Sequence, residues 1–284
     1  MEKYYILYNP YAKSGQAKFE AECLDVANCL GNTELLDITK IDDYYGFFDS
    51  LGKDDGVVLC GGDGTLNRFI NNTKNIFIKN KIYYLPAGTG NDFYRDVTGK
   101  EIGNVIEITQ YLKKLPTVEV KGKYYKFLNG VGYGIDGWCC QIGDELRSKN
   151  KKKINYTTIA IKGLLFHYKP TNAKVFVDGK EYNFEKVWIA PTMFGKHYGG
   201  GMIPTPNQKR GGQILSIMIF HGSGKFRTLT ILPLIFKGEH IKYKKHVKIL
   251  TGKNIKVIYE EPRPLQIDGE TIIDVLDYTA SIGN

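Results

Sequence analysis

Several things are missing from this 284-residue sequence. No run of about 18 apolar residues occurs, which argues against a membrane-spanning helix. The first residues, MEKYYILYNP, lack the basic-then-apolar profile of a secretion signal and read as a strand. The five cysteines (Cys23, Cys29, Cys60, Cys139, Cys140) are odd in number and form no CxxC pair. Reduced thiols in a cytoplasmic protein are therefore expected, and a zinc site is not. The five histidines show no metal-ligand spacing, and there is no internal repeat or low-complexity segment. The sequons at Asn71 and Asn155 carry little meaning without secretion.

What the chain does have is positive charge, +9 overall. A basic surface suits phosphorylated ligands, nucleic acid or an anionic membrane face, or serves solubility alone. Lysines are dense at 148–153 and 237–248, and either run also reads as a solvated face.

Strand and helix signals alternate over the first 115 residues. Strands are expected at 3–9, 56–60 and 81–88, and helices at 16–30, 65–72 and 105–115. That order predicts an α/β domain with a parallel sheet, whose ligands collect at the carboxyl ends of the strands. After Pro116 the texture becomes mainly β, a sandwich or curled antiparallel sheet. Hairpins are expected to turn at Lys121-Gly122 and Asp178-Gly179, and helices to lie near 138–147, 153–167 and 225–237. The boundary falls near 117, giving domains 1–117 and 118–284, with the C-terminal tail allowed to return to the first.

Three polar turns follow strands of the first domain. The stretch GVVLCGGDGTLN ends an apolar run in Gly61, Gly62, Asp63, Gly64 and Thr65, with Asn67 one turn on. Glycines at a strand-to-helix turn let backbone N–H groups approach a ligand, and the helix N-terminus favours an anion. Asp63 would repel a phosphate unless a divalent cation lies between them, or unless it bonds the ribose or the loop backbone. A plain tight turn with a capping aspartate is the bland alternative. In YYLPAGTGNDFYRD, Gly88 and Gly90 loosen a second turn, Thr89 and Asn91 offer hydrogen bonds, Asp92 caps the next helix and Arg95 can reach an anion. The third turn carries Asn9, Ser14 and Lys18. All three should meet on one edge of the sheet.

GGDGTLN, LPAGTGNDF-R and a late QIDGE (266–270), in that order, resemble the diacylglycerol kinase catalytic-domain family; so do NGVGYGIDG (129–137) and YGGGMIPTPNQK (198–209). The likeness runs from Asn9 to Glu270. GGDGT alone is shared with NAD kinases; GGDGT followed by PAGTGND is specific to the lipid-kinase branch. The resemblance implies an NAD kinase/phosphofructokinase-like α/β domain, a β-rich second domain and a cleft between them. It implies transfer of the γ-phosphoryl of Mg2+-ATP to a lipid hydroxyl, most closely diacylglycerol. It would place Gly61–Thr65, Asn67, Asn9, Ser14, Lys18, Gly88, Thr89, Asn91 and Asp92 around nucleotide or metal. Glu270 would be the general base with Asp268 beside it, and Asp136 would face the site as a second metal candidate after Asp92. The implied partners are a lipid substrate and a transient membrane surface, with no nucleic acid and with a homodimer allowed.

The sequence departs from the family pattern at two places. Arg68 stands where glutamate is usual. Residues 210–213 (RGGQ) and Ser216 replace acidic residues that bind a structural magnesium, so that metal is expected to be absent. These losses keep a non-catalytic nucleotide- or lipid-binding relative open, and the shared GGDGT keeps an NAD kinase-like enzyme open. GYGIDG (132–137) fits a dinucleotide fingerprint but reads as a loop in a β-rich context. GSGK (222–225) lacks Walker spacing. KFRTLTILPLIFKG (225–238) is apolar with basic ends; Phe226, Leu229, Leu232 and Phe236 either touch a bilayer surface or pack a helix on the sheet.

Overall fold

The computed structural model describes residues 3–26, 31–101, 103–148, 159 and 162–283. The chain divides into two compact units, Met1–Leu115 and Pro116–Asn284.

The first unit is a five-stranded sheet in the order β2-β1-β3-β4-β5. Its strands are β1 (Lys3–Tyr8), β2 (Asn32–Asp37), β3 (Gly56–Gly61), β4 (Lys81–Pro86) and β5 (Ile106–Glu107). The first four run parallel and β5 is antiparallel. Among the described residues four α-helices accompany them: α1 (Gln16–Val26), α2 (Tyr44–Ser50), α3 (Asp63–Asn72) and α4 (Asp92–Thr98). Alternation along the strands sorts two cores. Ile6, Val58 and Cys60 face Ala17 and Ala21 of α1. Small residues let that helix sit close enough for Cys60 Sγ to reach Ala17 O at 3.1 Å. On the opposite face Tyr44, Phe48 and Phe69 pack edge to face, joining α2 and α3.

This strand order reverses direction between β1 and β3. In open α/β sheets ligands bind outside the carboxyl ends of strands at such a switch point. The topology therefore selects the turns after β1 and β3, and β4 lies next to β3.

One expectation needs correction. Residues 105–115 do not form one helix: β5 is followed by a 3-10 turn, Thr109–Leu112. Val105, Ile106, Ile108 and Thr109 are β-branched and favour extension. Ile108 N donates to Ile82 O, and Thr109 Oγ1 accepts from Ile82 N, so the segment continues the sheet edge. The sequence reading also passed over β2 and α2, because neither carries a clear apolar period.

The second unit is antiparallel. Among the described residues it holds ten strands, with β13-β12-β11-β8-β14-β15-β6-β7 in order and β9, beside β14, pairing β10. These are β6 (Thr117–Val120), β7 (Lys123–Lys126), β8 (Gly130–Tyr133), β9 (Thr171–Val177), β10 (Lys180–Val187), β11 (Thr192–Met193), β12 (Leu215–Phe220), β13 (Val247–Gly252), β14 (Asn254–Ile267) and β15 (Glu270–Ser281). Both expected hairpins form. Lys121-Gly122 and Asp178-Gly179 each take two positive φ angles, matching the twist of the flanking strands. Helices α5 (Ile135–Ser148) and α6 (Lys225–Ile231) share a core with Trp188, Met218 and Phe220. A 3-10 segment, Leu232–Lys237, extends α6. GYGIDG is thus not a loop but the end of β8 and the start of α5. In the sheet of the second unit β15 lies between β14 and β6. The helix expected over 153–167 and the lysine run at 148–153 fall largely outside the described residues; Gly163–His167 forms a π turn. No helix of the described residues is long and apolar enough to cross a membrane.

Candidate active site

In the first unit the three turns meet. Asn9, just past β1, accepts from Tyr11 N through Oδ1 and donates through Nδ2 to Thr65 Oγ1 at 3.0 Å. That bond crosses the switch point and joins the β1 turn to the first turn of α3. At the end of β3, Gly61 O accepts from Ala87 N and from the buried Tyr84 hydroxyl. Gly62 is the N-cap of α3, and its carbonyl accepts from Thr65 N and Leu66 N. A Cβ on Gly62 would lie 2.9 Å from Gly88 Cα, and one on Gly88 would collide with Gly62 Cα. Two bare backbones therefore touch where the β3 and β4 turns meet, and a side chain at either place would prise them apart.

Asp63 bonds the backbone of the neighbouring turn. Its Oδ2 accepts from Asp92 N and its Oδ1 from Phe93 N, both at 2.9 Å. The carboxylate caps α4 from a neighbouring turn, which is the loop-backbone alternative of the sequence reading. The local cap is Asn91, in left-handed conformation, not Asp92 as expected; Asp92 is the first residue inside the helix. Asn91 closes its turn by bonding Gly88 in both directions. Thr89 sits at the exposed tip. Gly64 is the second residue of α3, and Asn67 is buried one turn later with Asn71 bonded to it. Lys18 lies exposed on α1, 3.7 Å from Glu22, and the side chain of Ser14 lies outside the described residues. Arg95 is paired with Glu101 at 2.8 Å. Arg68 is on the exposed side of α3. Burial pushes the Cys60 thiol up to about 12, so it remains protonated.

The second unit presents QIDGE as a hairpin tip. Asp268 and Gly269 both have positive φ and turn β14 into β15. Asp268 is bonded to backbone through both carboxylate oxygens. Its Oδ2 accepts from Leu128 N at 2.6 Å, and its Oδ1 from Asn129 N at 2.8 Å and Gly130 N at 3.0 Å. A carboxylate holding three backbone N–H groups is a clamp on the loop that carries them. The same loop is held from its carbonyl side by Arg210, which donates to Leu128 O and Asn129 Oδ1. Ser216 donates to Gln208 Oε1, and Gln208 donates to Phe194 O and Ile214 O. Direct protein hydrogen bonds thus occupy the region where the resemblance led one to look for carboxylates. Glu270 is the half-buried first residue of β15, in register with Ile267. The next residue, Thr271, bonds Asp144 of α5 at 2.8 Å, so the tip is braced on both sides.

Asp136 is a third aspartate and a different one. It is 8% exposed, receives the Tyr198 hydroxyl on Oδ2 at 3.2 Å, and its Oδ1 has no hydrogen-bond partner. Burial raises its pKa to about 6, against the opposing pull of hydrogen bonds from Gly137 N–H, Tyr198 and Gln266. Gln266 also accepts from Gly269 N, linking Asp136 to the hairpin tip. A Cβ at Gly132 would collide with this carboxylate. The sequence reading singled out Asp136 but missed Gly132, Tyr198 and Gln266 as its surroundings. The four-residue step from Gly132 to Asp136, across a strand-to-helix turn, was the available signal.

Among the described residues no group of three or more His, Cys, Asp or Glu side chains is placed to hold an ion by itself. The first unit suits a triphosphate that brings its own cation, because magnesium is commonly held by one or two carboxylates plus phosphate oxygens. The contact between Gly62 and Gly88, and the withdrawal of Asp63 to α4, fit such a ligand.

Comparison with known proteins agrees with this geometry. The model of the diacylglycerol kinase catalytic domain matches residues 3–120. The model of the YegS C-terminal NAD kinase beta sandwich-like domain matches residues 129–278, more than half of the chain. A diacylglycerol kinase of Bacillus subtilis is 24% identical over 227 residues, covering 78% of this chain and 73% of its own. One from Staphylococcus carnosus is 25% identical over 224 residues, covering 75% and 69%. A crystal structure described as a diacylglycerol kinase from Bacillus anthracis superposes with a TM-score of 0.66 at 21% identity, over 99% of this chain and 94% of that one, a likeness of fold. With its two matching domains in order and its glycine turns gathered at the switch point, the chain belongs to the diacylglycerol kinase catalytic-domain family.

Proposed function

We propose that the protein transfers the γ-phosphoryl group of ATP to the hydroxyl of a lipid, diacylglycerol being the best candidate. The observation that carries this reading is the meeting of Gly62 and Gly88, with Asp63 drawn off to cap α4. It leaves the N-terminus of α3 and two glycine turns open to a polyanion. Phosphoryl transfer demands positioning and charge neutralisation more than covalent chemistry. Bound magnesium, carried by the nucleotide, would supply the neutralising charge. Backbone N–H groups at the start of α3 would orient the phosphates, and Asn9 and Thr65 would fix the floor of the turn. Glu270 would accept the proton of the acceptor hydroxyl, a role worth roughly 10²–10⁴-fold. Asp268 and Arg210 would position Glu270 by holding the loop beneath it.

The test is incubation of purified protein with labelled ATP, magnesium and diacylglycerol in detergent micelles, and separately with NAD. Label in phosphatidic acid is the expected result. Label in NAD instead, or in neither acceptor nor any of a panel of lipid alcohols while ATP still binds, overturns the proposal.

A further inference from the structure

Among the described residues, three phenylalanines of the second unit are turned outward: Phe226 is 83%, Phe236 49% and Phe166 73% exposed. Their arrangement follows from helix geometry. From Phe226 to Ile231 the chain takes five α-helical steps of about 100°. From Ile231 to Phe236 it takes five 3-10 steps of about 120°. The total is three full turns and about 20°, so both rings project from one side, about 17 Å apart along the axis. Thr228, Ile231 and Ile235 point the other way and are buried; Leu229 and Leu232 pack against the core. The sequence had grouped Phe226, Leu229, Leu232 and Phe236 as one candidate surface. The structure divides them into two outward phenylalanines and two leucines directed inward. The π turn carrying Phe166 packs against α6.

Charge surrounds these rings. Residues 221–248 contain seven Lys or Arg and one acid, Glu239, a net +6 within a chain whose total is +9. Glu239 is paired with Lys242 at 3.4 Å. The Arg227 guanidinium lies 5.1 Å from the centre of the Tyr243 ring, which brings the lysine segment against α6. Lys242, Lys244, Lys245 and Lys248 are all exposed. Outward aromatic rings along a helix, bordered by basic residues, have the composition of an element that lies in the headgroup layer of an anionic membrane.

We propose that the outward face of residues 225–237, with the lysines of 242–248 beside it, docks this protein on an anionic phospholipid bilayer; the proposal deepens, and rests on, the lipid-kinase reading above. Docking would bring the protein to a substrate that never leaves the membrane. The rings supply insertion and the lysines supply attraction that salt weakens.

The test is co-sedimentation, without ATP, with vesicles of phosphatidylcholine mixed with phosphatidylglycerol and with vesicles of phosphatidylcholine alone. The wild-type chain should bind the mixed vesicles and lose that binding in high salt. Replacing Phe226 and Phe236 together by serine should lower binding roughly tenfold or more. Replacing Lys242, Lys244 and Lys245 by alanine should remove the preference for the anionic lipid. Both variants should keep wild-type activity on short-chain diacylglycerol dispersed in detergent. Wild-type protein that fails to bind, or a phenylalanine double variant that binds as well as wild type, overturns the proposal. So does a wild-type dimer that the double variant dissociates while vesicle binding is unchanged, because the rings would then face a second copy. A protein that docks on vesicles yet phosphorylates no lipid refutes the kinase reading and leaves docking standing.

Discussion

Two Asp-Gly pairs sit at the two motif turns, one in each unit, and their aspartates do the same work in unlike settings. Asp63 follows a parallel strand and opens a helix; Asp268 turns an antiparallel hairpin with a left-handed backbone. Each spends both carboxylate oxygens on backbone N–H groups of a segment distant in sequence, 92–93 for Asp63 and 128–130 for Asp268. The difference is in number and burial: two N–H groups at a half-buried site against three at a buried one. Both motif aspartates are clamps on backbone distant in sequence. Asp136, also followed by glycine, shows what an incompletely satisfied carboxylate looks like.

The largest consequence belongs to Asp268. Asp268→Ala orphans three buried N–H groups, and we expect a loss of about 4 kcal/mol in urea unfolding. A loss under 1 kcal/mol would break the comparison. Asp136→Asn should act in the opposite direction. Its folded pKa of about 6 lies above the unfolded value, so the folded state holds the proton more tightly. Stability from this group is full below the unfolded value and falls as pH rises towards 6. The Asn variant should therefore exceed wild type by about 2–3 kcal/mol at pH near 8 and match it near pH 4. Unfolding at the two pH values checks both sign and window. Asp63→Ala leaves two N–H groups at the start of α4 without acceptors and should cost about 2 kcal/mol, with a clear loss of ATP affinity by calorimetry. Arg210→Ala removes two bonds to the 128–129 loop. About 1 kcal/mol is expected, together with a drop in kcat at unchanged KM for ATP, which a purely structural role would not produce.

Much of the first unit was legible because strands β1, β3 and β4 end in Asn-Pro, Gly-Gly and Pro-Ala-Gly, and parallel pairing brings such ends together. The three turns needed only adjacency of their strands. What escaped was set by tertiary contact. Residues 105–115 have apolar spacing compatible with a helix, yet Thr109 is claimed by the backbone of Ile82. NTELLD becomes β2 because β1 offers it a full parallel register, not because its own pattern demands a strand. Asp268 looked like a partner to Glu270, being two residues away. Only the fold reveals that 128–130 lies against it, some 140 positions earlier in sequence. Local sequence reported where a carboxylate stood, and packing decided what it was bonded to.

The division of labour between clamp and base is tested most directly by phosphoryl transfer from labelled ATP to diacylglycerol with Glu270→Gln. The account predicts that lipid labelling falls by about 10²-fold or more, while the melting temperature and ATP affinity stay at wild-type values. Wild-type labelling by this variant would contradict it.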